Sequence, residues 1–250
     1  MPQTRDRYAR QIKLPQIGPR GQAMLANTSI LVAGAGGLGS LSSMYLAAAG
    51  VGRIVIVDDD VVEPSNLNRQ ILHGEQGLGK DKVLSAAGRL SDLNSGVTVV
   101  PVKLRITDDT IDHILDGIDL IMDGTDNYDT RVVLNRAALK IGLSWIFGGV
   151  SGFDGMASLF SPKGKPCFEC VFPPPGAKED PGPGIIGPAA GMIASIQSME
   201  AVKEILGIGK GLTGRLLRLS GMDMRINVST LPPNPECRTC GRQLRKGSRP

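Results

Sequence analysis

The stretch from Leu31 to Arg69 constrains this chain more than any other. An apolar, β-branched run closes on Gly34-x-Gly36-x-x-Gly39, an alanine-rich segment follows, and a second β-branched run leads into Asp58, Asp59 and Asp60, with Asn66 and Arg69 beyond. That order predicts a strand, a helix and a strand with an anion site at the glycine turn. Gly34 lets the chain turn sharply out of the strand, Gly36 lets backbone approach phosphates, and Gly39 lets the helix pack closely on the sheet. The free amides of the helix N-terminus then face the anion. Taken alone, the glycine pattern fits NAD, FAD and ATP equally. Asp58, at the end of the second strand, suits ribose hydroxyls and leaves the same choice open.

The alternation continues along the chain. Strands are expected over Thr28–Ala33, Arg53–Asp58, Val97–Leu104, Asp119–Met122 and Ser144–Val150, and helices over Ser40–Ala49, Lys80–Asp92, Asp108–Leu115 and Thr130–Ile141. This predicts an α/β, Rossmann-like fold: a mostly parallel sheet with helices on both faces. After Gly152 the pattern changes to strands over Met156–Phe160, Arg215–Ser220 and Met224–Ser229 and a helix over Gly191–Leu206, read as additional mixed or antiparallel strands. Residues 171–188 are too rich in Pro and Gly for regular structure, and so long a loop in a compact domain usually serves function. The expected layout is one unit over 1–250. It comprises a helical lead (1–27), a nucleotide-binding core (28–150), a second part (151–236) holding the 171–188 loop, and a flexible basic tail (241–250).

The formal net charge of +4 is local. The segment after Glu236 holds Arg238, Arg242, Arg245, Lys246 and Arg249 and no acid, so the rest is close to neutral, which argues against a nucleic-acid groove. No apolar run reaches the roughly 18 residues of a membrane span, and the N-terminus has no apolar signal core. A soluble, cytoplasmic protein is expected. In a reducing compartment two CxxC pairs suggest metal more than disulfides. Cys167, Cys170, Cys237 and Cys240 suit a closed, tetrahedral structural zinc site; redox-active pairs are the alternative. Pro166 and Gly241 flank the pairs like knuckle turns, and neither pair is expected to open a helix.

The residues past the second strand separate the ligands. A hydride-transfer enzyme has no evident use for Asn66, Arg69, Gln70, Lys80 and Lys82 together, whereas a triphosphate does. Amides bond phosphate oxygens or ribose, arginine offers a bidentate fork and lysine a point charge; spacing favours Lys82 over Lys80. Asp126, where the fourth strand ends in DGTDN, sits at the crevice of an open α/β sheet and suits magnesium beside phosphates. An Asx turn or a helix cap is its bland reading, and Asp123 and Asp129 are assigned turn and cap roles. Arg5, Arg7 and Arg10 read as a solvated face unless another motif calls for a cation. Neither His73 nor His113 sits in a catalytic context.

Together RYxRQ (from Arg7), GxGGLG (from Gly34), DxDxVxxSNLxRQ (from Asp58), GxxK (ending at Lys82), TDN (from Thr125) and the two CxxC pairs resemble the E1-like adenylating enzymes of the ThiF/MoeB/HesA type, across nearly the whole chain. The resemblance implies an adenylyltransferase. With ATP and Mg2+ it would adenylate the C-terminal glycine carboxylate of a small ubiquitin-like sulfur-carrier protein ending in Gly-Gly. Pyrophosphate is released, and a sulfur donor, a sulfurtransferase or cysteine desulfurase, later yields the thiocarboxylate for molybdopterin or thiamine biosynthesis. It places Gly34, Gly36, Gly37 and Gly39 around adenosine and phosphates, Asp58 on ribose, Asn66, Arg69, Gln70 and Lys82 on the triphosphate, and Asp126 on magnesium. Arg10 would reach ATP from the other subunit of a homodimer. Because the attacking group is the substrate carboxylate, no protein base is required.

One departure follows from the same motifs. Many relatives carry a cysteine upstream of a GIIGP-like segment, where this chain has Asp180. With four cysteines assigned to zinc, adenylation without a thioester on this chain is expected. Two further readings stay open: an ATP-dependent enzyme acting on another acyl substrate, such as a peptide C-terminus or a carboxylate on a tRNA base, and an NAD-dependent oxidoreductase.

Overall fold

The computed structural model describes residues 7–162, 166–174 and 184–241. The elements run α1 (Ala9–Ile12), α2 (Gly18–Ala26), β1 (Ser29–Ala33), α3 (Gly37–Ala49), β2 (Arg53–Val57), α4 (Lys82–Leu93), β3 (Thr98–Val102), α5 (Ile111–Ile114), β4 (Leu120–Asp123), α6 (Tyr128–Ile141), β5 (Ser144–Ser151), β6 (Asp154–Phe160), α7 (Phe168–Val171), α8 (Gly187–Leu206), β7 (Arg215–Ser220) and β8 (Arg225–Thr230). One eight-stranded sheet orders them β3-β2-β1-β4-β5-β6-β7-β8. Its first five strands are parallel, and the last three continue it antiparallel. Between β1 and β4 the strand order reverses, which opens the crevice where such sheets bind ligands, past the carboxyl ends of the strands.

Strand alternation divides the core. Ile30, Val32, Ile54 and Ile56 face one side, with Leu46, Val83, Leu90, Ile193 and Ala194 from α3, α4 and α8. Leu31, Ala33, Val55 and Val57 face the other, with Ile114, Leu134 and the aromatics Trp145, Phe147, Phe160 and Phe168. Both faces of β1 are therefore buried, which explains its unbroken apolar reading. The lead is pinned down: Tyr8 is buried and its hydroxyl accepts from Asn94 Nδ2 at 2.7 Å, while Gln11 Nε2 donates to Gln22 Oε1 and to Ala49 O.

Two expectations require correction. Cys167 does open a helix: it is the N-cap of α7, a single turn that itself contains Cys170. Irregular structure over 171–188 is also too broad, because α7 reaches Val171 and α8 begins at Gly187 with Pro188 in its first turn. Proline fits there, since a first-turn N–H has no partner within its helix. Residues 175–183, Asp180 among them, and the basic tail over 242–250 lie outside the described residues. Among the described residues no helix is long and apolar enough to cross a membrane.

Candidate active site

A cavity of about 750 Å³ opens at the carboxyl ends of β1, β2 and β4. Gly34 leaves β1 with φ +93°, and a side chain there would run into the Gly124 carbonyl. A Cβ on Gly39 would collide with the Gly34 carbonyl, so this glycine sits beneath the cavity and lets α3 pack against the turn. Gly34, Gly36 and Gly37 line the cavity, and Gly36 caps α3.

Two side chains hold the turn from behind. Asp58 Oδ2 accepts from Ala35 N at 2.7 Å, and its Oδ1 accepts from Asp60 N at 2.9 Å, which leaves lone pairs of this lining carboxylate for a ligand hydroxyl. His73, 7% exposed, places Nε2 at 3.0 Å from Ala35 O and Nδ1 at 3.0 Å from Ser85 Oγ. Burial holds its pKa below the ordinary histidine value despite the bond to Ala35 O, and nearby Lys82 lowers it further. His73 is thus a neutral brace for the glycine turn.

The cavity's cations come from four directions. Lys82, 5% exposed, is the first residue of α4 and reaches Asp60 Oδ2 at 2.8 Å. A cation at a helix N-terminus works against the helix dipole, a cost that a phosphate ligand would offset. Arg69 donates to Ser65 O and Asn68 Oδ1, and its stem packs near Gly37. Gln70 is buried, with Oε1 lacking any hydrogen-bond partner beside this lining. Asn66 does not line the cavity; its Oδ1 accepts from Glu63 N and caps a short 3-10 turn at Pro64–Asn66. Lys80 does not line it either, and Arg10 is exposed on α1, away from this chain's cavity.

Asp126 lines the cavity from the β4 end. The cap of α6 is Asn127, whose Oδ1 accepts from Thr130 N at 2.9 Å, so Asp126 remains exposed and available to a ligand. Asp123 takes the turn role: fully buried, it accepts from Thr125 N and Thr125 Oγ1. It also pairs with Arg131 Nε at 3.0 Å, and Arg131 Nη2 donates to Thr125 O and Gly148 O. Arg131 lies over the Phe147 ring and lines both this cavity and a second one of about 820 Å³. The second cavity runs along β5, β6, β7 and β8, walled by Phe147, Phe168 and Phe172, and meets the first at Asp126, Arg131 and Val150.

At the far side of α6 the four cysteines converge. Sγ–Sγ separations are 3.7 Å for Cys167–Cys170, 3.6 Å for Cys167–Cys237 and 3.3 Å for Cys170–Cys240, and all four sulfurs lie within 4.8 Å of one another. A tetrahedral zinc with ligand bonds near 2.3 Å would hold sulfurs roughly 3.8 Å apart, so the donor set fits that ion. Burial pushes the Cys240 thiol up to about 11, and Cys167 higher still. Cys237 goes the other way: burial pushes it up, but hydrogen bonds from the Cys240 and Thr239 backbone outweigh that. At Cys167 and Cys240 a divalent cation would displace the proton.

The ThiF family model matches residues 8–239. This chain belongs to the ThiF family. It is 40% identical over 240 residues to the SAMP-activating enzyme E1 of Haloferax volcanii, covering 94% of this chain and 88% of that protein. It is 41% identical over 245 residues to the sulfur carrier protein adenylyltransferase of Thermus thermophilus, covering 94% and 90%. Among solved structures, Escherichia coli MccB with MccA-N7isoASN shares the fold, with a TM-score of 0.85 at 24% identity over 95% of this chain and 75% of that one. The chain is an E1-like adenylyltransferase, an ATP-using enzyme.

Within this ThiF-family site two cations escaped the sequence reading. Arg105, just past β3, lines the cavity with no motif to mark it. Arg131 carried a signal: a cation in the first turn of α6 opposes the dipole, and such a position needs a partner, here Asp123.

Proposed function

We propose that this enzyme adenylates the C-terminal glycine carboxylate of a small ubiquitin-like sulfur-carrier protein. The observation that carries the reading is the junction of the two cavities at Asp126, Arg131 and Val150, a charged chamber opening onto an apolar groove. ATP would lie in the first with its phosphates toward the α3 amides, Arg69, Gln70 and Lys82 and its ribose toward Asp58, and the carrier's tail would arrive through the second. A carboxylate oxygen attacks the α-phosphorus, the bond to the bridging oxygen breaks, and pyrophosphate leaves with that electron pair, giving the acyl adenylate. Catalysis of this kind rests on positioning and on neutralising charge between attacking and leaving oxygens.

Asp126 is suited to hold magnesium, which would supply further neutralisation of phosphate charge. Arg10, exposed on α1, fits a contribution to the partner's cavity in a homodimer. The cysteine cluster fits structural zinc; with all four thiols engaged, the acyl adenylate is the enzyme's product and no thioester forms on it. The relatives' names support a sulfur carrier over a short peptide or tRNA substrate, because the carrier enzymes match at 40% and 41% identity. ATP–pyrophosphate exchange tests the reading: it should require a small protein ending in Gly-Gly, and exchange without one, or with none of several, sinks it. A free thiol in the zinc-loaded protein would sink the thioester-free course.

A further inference from the structure

Aromatic residues are scarce in this chain, with five Phe and one Trp, yet most of them gather in one place. Trp145, Phe147, Phe160, Phe168 and Phe172 pack with ring centroids 4.9 to 6.3 Å apart. Phe168 is the first residue of α7, directly after Cys167, and Phe172 ends the same turn. The wall of the second cavity is therefore made by the segment that the cysteine cluster frames.

That segment is tied to α6 at both ends. Phe168 N donates to Asn135 Oδ1 at 3.1 Å, and Tyr128 Oη donates to Phe172 O at 3.1 Å. Between them Glu169, its side chain 15% exposed, collects three donors: Asn135 Nδ2 at 3.0 Å, Arg136 Nη2 at 3.3 Å and Thr239 Oγ1 at 2.6 Å. Asn135 is fully buried in α6, and Thr239 lies inside the second CxxC. One carboxylate thus joins both cysteine pairs to the helix whose first turn carries Arg131 and follows Asp126. Cysteine ligation itself would use only the four sulfur atoms, so this carboxylate is an additional tie.

We propose that Glu169 is a positioning residue that fixes α7 against α6, so that the cysteine knuckle sets the aromatic wall and the Asp126–Arg131 corner where the acyl tail meets ATP. The role assigned to the second cavity rests on the adenylation reading; the tie between knuckle and helix does not. In this arrangement Glu169 influences the acyl side more than the ATP side, because the glycine turn, Arg69 and Lys82 are held by separate bonds and the two cavities share only the Asp126–Arg131 corner and Val150.

The test uses the full-length, zinc-loaded protein, with Glu169→Ala, Glu169→Gln and, should the first fail to fold, Thr239→Val, which removes one donor and keeps the carboxylate. Zinc content is verified for each. Loss of a hydrogen-bonded charged group predicts roughly a tenfold rise in KM for a Gly-Gly-ending carrier in pyrophosphate exchange, with the KM for ATP within about twofold and Glu169→Gln recovering part of the loss. Hydrogen exchange in peptides covering α6 should quicken, and the emission of Trp145, the chain's one tryptophan, should shift to the red. Unchanged α6 exchange and Trp145 emission in variants that retain zinc overturn the proposal, as does an equal loss of affinity for ATP and carrier. If the wild-type protein adenylates no carrier, the function reading fails, and α6 exchange with Trp145 emission still decides whether Glu169 ties the knuckle to the helix.

Discussion

At the parallel end of the sheet, the first cavity is held by bonds along its rim: Asp58 to Ala35, His73 to Ala35, Asn127 to Thr130 and Asp123 to Arg131. At the antiparallel end, the cysteine cluster joins residues 70 positions apart through sulfur atoms that crowd one another, with burial holding the Cys167 and Cys240 thiols above their ordinary range. The first site is complete as a protein surface before any ligand arrives. The second has the hydrogen bonds that Glu169 accepts from Asn135, Arg136 and Thr239, and its sulfurs gain cohesion when a cation lets four thiolates coexist. Empty, the two sites should therefore differ: the cavity keeps its shape, and the cluster loses its hold on the C-terminal strand segment.

The largest effect expected is at the cluster. Cys237→Ser should abolish stoichiometric zinc and cost more than about 5 kcal/mol, since structural zinc sites supply roughly 10–16 kcal/mol of apparent binding energy in small zinc peptides. Metal analysis with urea unfolding checks both, and a variant with unaltered unfolding midpoint would erase the contrast between the two ends. Next comes the buried ion pair of the cavity rim, Asp123 with Arg131. Asp123 is fully buried and the Arg131 side chain is 16% exposed, so Asp123→Ala leaves a largely desolvated guanidinium without its counter-charge and should cost about 3–5 kcal/mol. A loss under about 1 kcal/mol would mean that the carbonyls of Thr125 and Gly148 suffice for Arg131.

A third substitution separates function from stability. Lys82→Ala should lower adenylation by about 10²–10³-fold, the usual cost of removing one donor aimed at developing charge, while its thermal midpoint stays near the wild-type value because its partner Asp60 is two-thirds exposed. Arg69→Ala should behave in the same way. Full activity in either protein would refute the phosphate clamp.

The same comparison explains what could be read from sequence. In the parallel half β1, β2 and β4 are buried along almost their whole length and α3, α4 and α6 are long enough to show their period, so β1 through β5 and these helices fall within a few residues of expectation. By contrast, α5 is a four-residue turn inside the helix expected over Asp108–Leu115. In the cysteine half the decisive element is α7, a four-residue turn that follows Cys167 and contains Cys170, too short for any periodicity to register. The α8 start was legible in principle, through Pro188 at its first turn. The glycine turn, Asp58, Arg69, Gln70, Lys82 and Asp126 all line the cavity, because the motifs that hold them sit at the carboxyl ends of the strands. Asn66 lies outside the lining because its amide is spent locally on Glu63, and the union of Glu169, Asn135 and Thr239 depends on long-range packing that no local pattern encodes.

The smallest effect concerns the brace behind the glycine turn. Burial lowers the pKa of His73, so the folded protein binds fewer protons at this site than the unfolded chain. Its contribution is fully present above the unfolded value near 6.5 and is lost as pH falls from there through the lowered folded value. Lys82 lowers the folded pKa further and Asp58 opposes it, so losing the lysine charge would soften the dependence without reversing its sign. Urea midpoints of wild type and His73→Gln measured from pH 8 to pH 5 isolate the term. The wild-type curve should fall more steeply below pH 6.5, and the variant, less stable at pH 8 for want of one of the bonds to Ala35 and Ser85, should converge with it on acidification. Parallel curves would show that His73 ionises in place, and the cavity would then owe its readiness for ATP to Asp58 and the packing of Gly39 against Gly34 alone.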